Sequence, residues 1–321
     1  MPVRLWYPPR VRLVACLLLT NEVYAQLVTG SVTGTVTDAS GAPIAGAQLE
    51  LTSETTGFRR QAPGQANGTF SFQAIPPGTY ALQAAHEGFK THRRGKIVLS
   101  PSDTLSVGVI RLELGEMSQS VSVTAEGSTV QTASGERSGI ITAQEMENLT
   151  VINRDFAALV SLMPGVVDNP GNETQGFGGT ATFNVQGGRN TGNNITIDGG
   201  AVENTNGTGI GAFISMDSVA AVKIQLSNFQ AEFGRKPGAG IQAITKSGTK
   251  QFHGAFYGYF RHEKLNANSF FNNRQGLPEV PYRYTTNGFN LGGPIHVPGL
   301  IPKNKLFFFA SVEQLFEARP Q

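Results

Sequence analysis

Between residues 27 and 115 the chain alternates apolar and polar side chains in short runs, and no run carries the period of a helix. A period of two places every second side chain on one face of a strand, so this stretch reads as half-buried β structure. The runs include Ser31-Val32-Thr33-Gly34-Thr35-Val36-Thr37, Ala47-Gln48-Leu49-Glu50-Leu51, Thr69-Phe70-Ser71-Phe72 and Thr79-Tyr80-Ala81-Leu82-Gln83-Ala84. Lys96-Ile97-Val98-Leu99 and Ser106-Val107-Gly108-Val109-Ile110-Arg111-Leu112 follow. Turn residues punctuate them at Asp38-Ala39-Ser40-Gly41, Asn67-Gly68, Pro76-Pro77-Gly78 and Glu87-Gly88. About seven strands at this spacing predict a small β-sandwich. Its expected core includes Leu49, Leu51, Phe70, Phe72, Tyr80, Leu82, Val98 and Val107.

Charge narrows the function classes. The net charge is +2 and only 15% of residues are charged. A nucleic-acid partner would need a basic stripe with aromatic readers. Arg59-Arg60 and His92-Arg93-Arg94 are too short for that and read as exposed strand ends or loops. Glycine is frequent, at 39 residues, which suits turns and barrels better than a helical enzyme.

The first 25 residues read as a signal peptide. Arg4, Arg10 and Arg12 form a basic region, Leu13 to Thr20 a short apolar run, and Val23-Tyr24-Ala25 a small-residue cleavage site before Gln26. Leu13-Val14-Ala15-Cys16 also spells a lipoprotein-type cleavage box, but Arg12 leaves almost no apolar run ahead of it. Cys16 is the single cysteine, so a chain cleaved after Ala25 has no disulfide and no thiol chemistry.

Ser120, Val121, Ser122, Val123, Thr124 and Ala125 form an isolated strand pattern after the sandwich, with no obvious hairpin partner. Such a segment can offer its backbone edge to a partner's sheet. Residues 136–246 are mixed. Thr142-Ala143-Gln144-Glu145 fits a capping box opening a short helix. Asn153 is placed to cap a second helix carrying Phe156, Leu159, Val160 and Met163, stopped by Pro164-Gly165. Short strands are expected at 182–187, 194–199 and 222–226. Beyond residue 250 the pattern changes again. Phe252, Phe256 and Phe260 fall on one face with Gly254 and Gly258, against His253, Ala255, Tyr257, Tyr259 and Arg261. That is a lipid face set against a lumen face at barrel-strand length. Leu306, Phe308, Ala310 and Val312 repeat it opposite Phe307, Phe309, Ser311 and Glu313, and 282–291 gives a weaker third strand.

Catalytic constellations do not assemble. His86, His92, His253, His262 and His296 have no paired metal-ligand spacing. Gly207-Thr208-Gly209-Ile210-Gly211-Ala212 spells a dinucleotide fingerprint without the strand before it or the helix after it. Nothing in the sequence positions Asp198 and Glu232 as an acid–base pair. No enzyme activity and no cofactor are expected.

Longer strings carry family resemblances. Gly34-Thr35-Val36-Thr37-Asp38, Gly41 to Ala47, Gly68 to Phe72, Ile75 to Tyr80 and Gly88-Phe89-Lys90 together resemble the carboxypeptidase regulatory-like domain, a transthyretin-like sandwich. Asn184-Val185-Gln186-Gly187-Gly188-Arg189, Ile197-Asp198-Gly199, Ala231-Glu232-Phe233-Gly234-Arg235 and Gly240 to Thr249 resemble the plug of TonB-dependent receptors. Gly292-Gly293-Pro294 and Lys305 to Phe309 resemble the barrel entry of the Oar-like type.

The resemblance implies a mainly β chain: a transthyretin-like sandwich, an α+β plug, then the first strands of an incomplete transmembrane barrel. The expected division is 1–25 signal peptide, 26–115 sandwich, 116–127 TonB-box linker, 128–248 plug and 249–321 barrel start. It further implies residues 120–125 as the TonB box, and Arg189, Glu232 and Arg235 as plug–barrel electrostatic contacts. The implied function is energised uptake of a bulky solute, with a glycan as one class, at the cell outer membrane. The implied partners are TonB, by β-augmentation, and outer-membrane lipid, with no nucleic acid. A secreted or surface β-sandwich that binds carbohydrate or matrix is the rival class. About three barrel strands follow Lys246, against about 22 in plugged transporters, so this chain alone is not expected to close a pore.

Overall fold

The computed structural model describes residues 28–116, 120–124, 134–149, 151, 154–168, 183–202, 214–279, 281 and 283–318. The expected signal peptide, Cys16, Ala125, Asn153 and the 207–212 glycine motif lie outside them.

The N-terminal unit is a two-sheet sandwich. Its strands are β1 (Gly30–Thr37), β2 (Gln48–Ser53), β3 (Arg59–Pro63), β4 (Thr69–Ile75), β5 (Gly78–Ala85), β6 (Thr91–Leu99) and β7 (Thr104–Arg111). One sheet has the order β4-β1-β7, with β1 and β7 parallel. The other runs β3-β2-β5-β6 and is extended by β8 (Ser120–Thr124). The alternation read from the sequence is the burial pattern found. Val32, Val36, Leu49, Leu51, Phe70, Phe72, Leu82, Val107 and Ile110 meet in one core. Tyr80 is buried with them, and its hydroxyl donates to the Pro76 carbonyl at 2.6 Å. Burial pushes that phenol up to about 12, because the phenolate would be poorly solvated there.

Val98 departs from the expected core. It is 60% exposed, while Ile97 and Leu99 point inward. The register between β5 and β6 shifts between Tyr80 and Leu82, and Lys96 takes a φ of 55°. One extra residue exchanges the faces of a strand. Three consecutive apolar residues could not reveal which parity would win. β3 is the strand missed by the alternation: its first three residues are polar and exposed.

A second core lies in the unit that follows. Its sheet has the order β13-β12-β15-β14-β9. The strands are β9 (Arg137–Thr142), β12 (Asn194–Ile197), β13 (Gly200–Ala201), β14 (Val219–Ser227) and β15 (Gly240–Thr245). β10 (Val166–Asp168) and β11 (Phe183–Val185) form a separate antiparallel pair. Helix α1 (Ala143–Asn148) opens with the expected capping box between Thr142 and Glu145. The second helix is a 3₁₀ turn, Phe156–Leu162, and its cap is Asp155, whose carboxylate accepts from the Ala157 N–H. The cap is therefore Asp155, directly before the first helical residue, whereas the expected cap, Asn153, lies outside the described residues. Phe156, Leu159 and Val160 pack on Val222, Ile224 and Ile241.

The last unit is an open antiparallel sheet, β16 (His253–His262), β17 (Arg283–Val297) and β18 (Ile301–Ala318). Helix α2 (Phe270–Arg274) lies between β16 and β17. The expected faces are present. Phe256 pairs across to Phe289 and on to Val312, and all three are exposed. One residue along, Tyr257 pairs with Gly288 and then Glu313 on the inner face, and Tyr257 is buried. A Cβ at Gly288 would overlap the Tyr257 ring, so glycine lets that ring lie flat across the sheet. Among the described residues no helix is long and apolar enough to cross a membrane, which does not bear on strands.

Candidate functional site

Three contacts bring together segments that are not neighbours in sequence. The first is the 120–124 segment. It was expected to be unpaired, and that expectation is corrected: β8 runs parallel to β6, from Thr91 opposite Ser120 to Gly95 opposite Thr124. A parallel partner needs a long crossover rather than a hairpin, which is why local reading missed it.

The second contact joins the central sheet to the inner face of β16–β18. Ser215 caps a 3₁₀ turn, Met216–Ser218, just before β14. Its Oγ donates to Glu313 Oε2 at 2.8 Å, and the Tyr257 hydroxyl lies 2.8 Å from that Ser215 Oγ. With the serine proton committed to the carboxylate, the tyrosine is the donor to Ser215. Arg154 pairs with Asp217 and stacks its guanidinium 3.6 Å from the centre of the Tyr259 ring. Burial raises the Asp217 carboxyl, and the Arg154 charge opposes that rise. Burial also pushes the Asp155 carboxyl up to about 6, against the lowering effect of the Ala157 N–H. A cleft of about 560 Å³ runs along this contact, lined by Met146, Arg154, Asp217, Lys246, Tyr259 and Glu313 among others.

The third contact is a closed ring of five polar interactions between the sandwich and the central sheet. Ser102 Oγ donates to Gln242 Oε1 at 2.8 Å, Gln242 Nε2 to Gln225 Oε1 at 2.9 Å, and Gln225 Nε2 to Glu136 Oε2 at 3.0 Å. Glu136 Oε1 pairs with Lys223 Nζ at 2.9 Å, and that ammonium donates to the Ser102 carbonyl at 2.8 Å. Lys223, Gln225 and Gln242 are buried on the face opposite the Val222 and Ile224 core.

Arg189, Glu232 and Arg235 take no part in these three contacts. All three are exposed. Among the described residues they make no ion pair with the three strands of this chain. Asp198 is occupied with Thr245, accepting from its N–H at 2.9 Å and its hydroxyl at 2.7 Å. Of the residues that form these contacts, Tyr257, Tyr259 and Glu313 lie on the face expected of them, whereas Ser102, Glu136, Lys223, Gln225 and Gln242 carry no motif that marks them. One signal is present: Lys223 and Gln225 alternate with Val222, Ile224 and Leu226, so a strand paired on both sides carries a polar second face. Such a face requires a cover.

Two family descriptions agree with the sandwich and the last three strands. A family described as carboxypeptidase regulatory-like domain matches residues 31–113, and one described as outer membrane beta barrel domain matches residues 244–321. The chain is 27% identical over 322 residues to the TonB-dependent transporter Oar of Myxococcus xanthus. That match covers 95% of this chain and 28% of the relative, so the chain spans less than a third of that protein's length. Among solved structures it is similar to the siderophore receptor PirA from Acinetobacter baumannii, at 20% identity and a TM-score of 0.41, over 56% of this chain and 24% of that one. It is likewise similar to a ferric enterobactin receptor from Pseudomonas aeruginosa, at 18% identity and a TM-score of 0.41, over 57% of this chain and 25% of that one.

Proposed function

We propose that this chain, which is of the Oar-like TonB-dependent outer-membrane receptor type, supplies the plug, the energy-coupling segment and the first wall strands of a transporter in the cell outer membrane. Its task in this reading is energised uptake of a bulky solute rather than catalysis.

The observation that carries the reading is the two-faced sheet β16–β18. Its outer face presents Phe256, Phe289 and Val312, and its inner face grips the central sheet through Tyr257 and Glu313 on Ser215. A soluble sheet would not leave such aromatic rows uncovered. A barrel strand needs an apolar exterior and a polar interior. The polar, hydrogen-bonded character of the inner contact suits a plug that must yield under load, because local opening of a polar contact exposes little apolar surface.

In this reading residues 120–125 form the TonB box, which pairs with the periplasmic domain of TonB through the main chain. Arg189, Glu232 and Arg235 remain candidates for contacts with wall strands other than β16–β18. The sandwich serves as an accessory module, with a glycan as one class of ligand for it, and residues 1–25 act as the export signal.

The test uses the full-length transporter. Val121→Pro removes a backbone donor and fixes φ, which blocks edge pairing. Uptake is expected to collapse while solute binding at the cell surface survives. Unchanged uptake would remove residues 120–125 from the coupling role. Recovery of the full-length protein in a soluble fraction without detergent would sink the membrane reading altogether.

A further inference from the structure

The five-stranded sheet of the sandwich has two unlike edges. At one end β3 carries Arg59, Arg60 and Pro63, all exposed. Charge and proline on an edge strand are the usual means of preventing another strand from adding to it. At the other end β8 reads Ser-Val-Ser-Val-Thr, with neither charge nor proline. Its register on β6 is regular over five residue pairs, without the bulge that would twist an edge away. Among the described residues no strand pairs with its other side. One edge of the sheet is therefore guarded and the other is left as a template.

We infer that the sandwich presents residues 120–124 as a preformed edge strand, and that an edge strand of the TonB periplasmic domain adds to the outer side of β8 while β8 stays paired with β6. The inference rests on the reading of this segment as the TonB box and deepens it. An isolated peptide must lose its backbone freedom on pairing, whereas a strand already held in a sheet has lost most of it. Docking on β6 uses one side of β8 only, so addition requires no release. The sandwich and the partner then share one continuous sheet. A pull on that sheet reaches the central sheet through the Ser102 contact with Lys223 and Gln242, in addition to the chain that leaves β8.

Amide hydrogen exchange on the 321-residue chain, with and without the purified periplasmic domain of TonB, tests this. Residues 120–124 are expected to gain protection by about tenfold or more on binding, while residues 91–95 of β6 keep theirs. Loss of protection along 91–95 on binding would mean that the segment is stripped from β6, and would overturn the inference while leaving the TonB box in place. A second measurement uses Arg93→Cys with Ser122→Cys, facing positions in the β6–β8 register, in a Cys16→Ser background. Oxidised and reduced forms of this one protein are expected to bind TonB with affinities within about threefold of each other, because the clamp holds a pairing that persists in the complex. Binding by the reduced form alone would again overturn it. If the unaltered chain binds no TonB domain at all, the parent reading of residues 120–125 falls and the inference falls with it.

Discussion

Lys223 and Glu136 form an ion pair of 2.9 Å in which the two side chains are only 2% and 8% exposed. Neither lies in an apolar pocket. The ammonium also donates to the Ser102 carbonyl, and the carboxylate also accepts from Gln225. Each charge taken out of water is thus met by a partner of opposite sign and a second hydrogen bond, which is the condition for a buried pair to persist. The pair sits where the sandwich covers the polar face of the central sheet, so it reports on whether the two units are seated.

Lys223→Met leaves Glu136 buried without its counter-charge and should cost about 3–5 kcal/mol. Lys223→Met with Glu136→Gln removes both charges and should recover most of that loss. Denaturant unfolding of the two variants checks this. Equal destabilisation by both would show that volume, not charge, sets the cost.

Arg154→Lys keeps the charge beside Asp217 but gives up the planar stack on Tyr259. The expected loss is about 1–2 kcal/mol in the contact between the central sheet and β16–β18. Faster amide exchange at 216–219, with 69–75 in the sandwich unchanged, is the expected readout. A uniform change in both regions would contradict a local contact.

Asp155 gives a pH dependence with a definite sign. Its folded-state value of about 6 lies above the ordinary 3.8. The folded state therefore holds this proton more tightly than the unfolded state. Stability from this group is greatest below about pH 4 and falls as pH rises through 6, by roughly 3 kcal/mol in total. Asp155→Asn keeps a capping oxygen and cannot ionise. The difference in melting temperature between variant and parent should widen in the variant's favour from pH 4 to pH 7. A constant difference would refute the assignment.

Gly34→Ala tests the packing of the sandwich. An added Cβ would stand 2.7 Å from Phe70 Cζ, 2.8 Å from Val107 Cγ2 and 2.9 Å from the Gly108 carbonyl. One of those neighbours is backbone and cannot swing aside. A loss of about 1–3 kcal/mol is expected from calorimetry or denaturant melts. A neutral result would mean that β1 and β7 can separate without penalty.

Local chemistry made much of this protein legible in its sequence. Alternation placed most of the sandwich strands, the capping box placed α1, and the aromatic spacing at Phe252, Phe256 and Phe260 placed the outer face of β16. Each of these signals is set by neighbours within a few residues, because strand and helix periods are local properties of the backbone. Tertiary structure alone decided the rest. A bulge turned Val98 outward, a parallel crossover docked residues 120–124 on β6, and Asp155 proved to be the cap of the 3₁₀ turn. Ser102 meets Lys223, 121 positions further along the chain, and Gln242, 140 positions further, to close one polar ring. Such contacts depend on which surfaces the fold brings together, and a polar residue carries no local mark of the partner that will satisfy it.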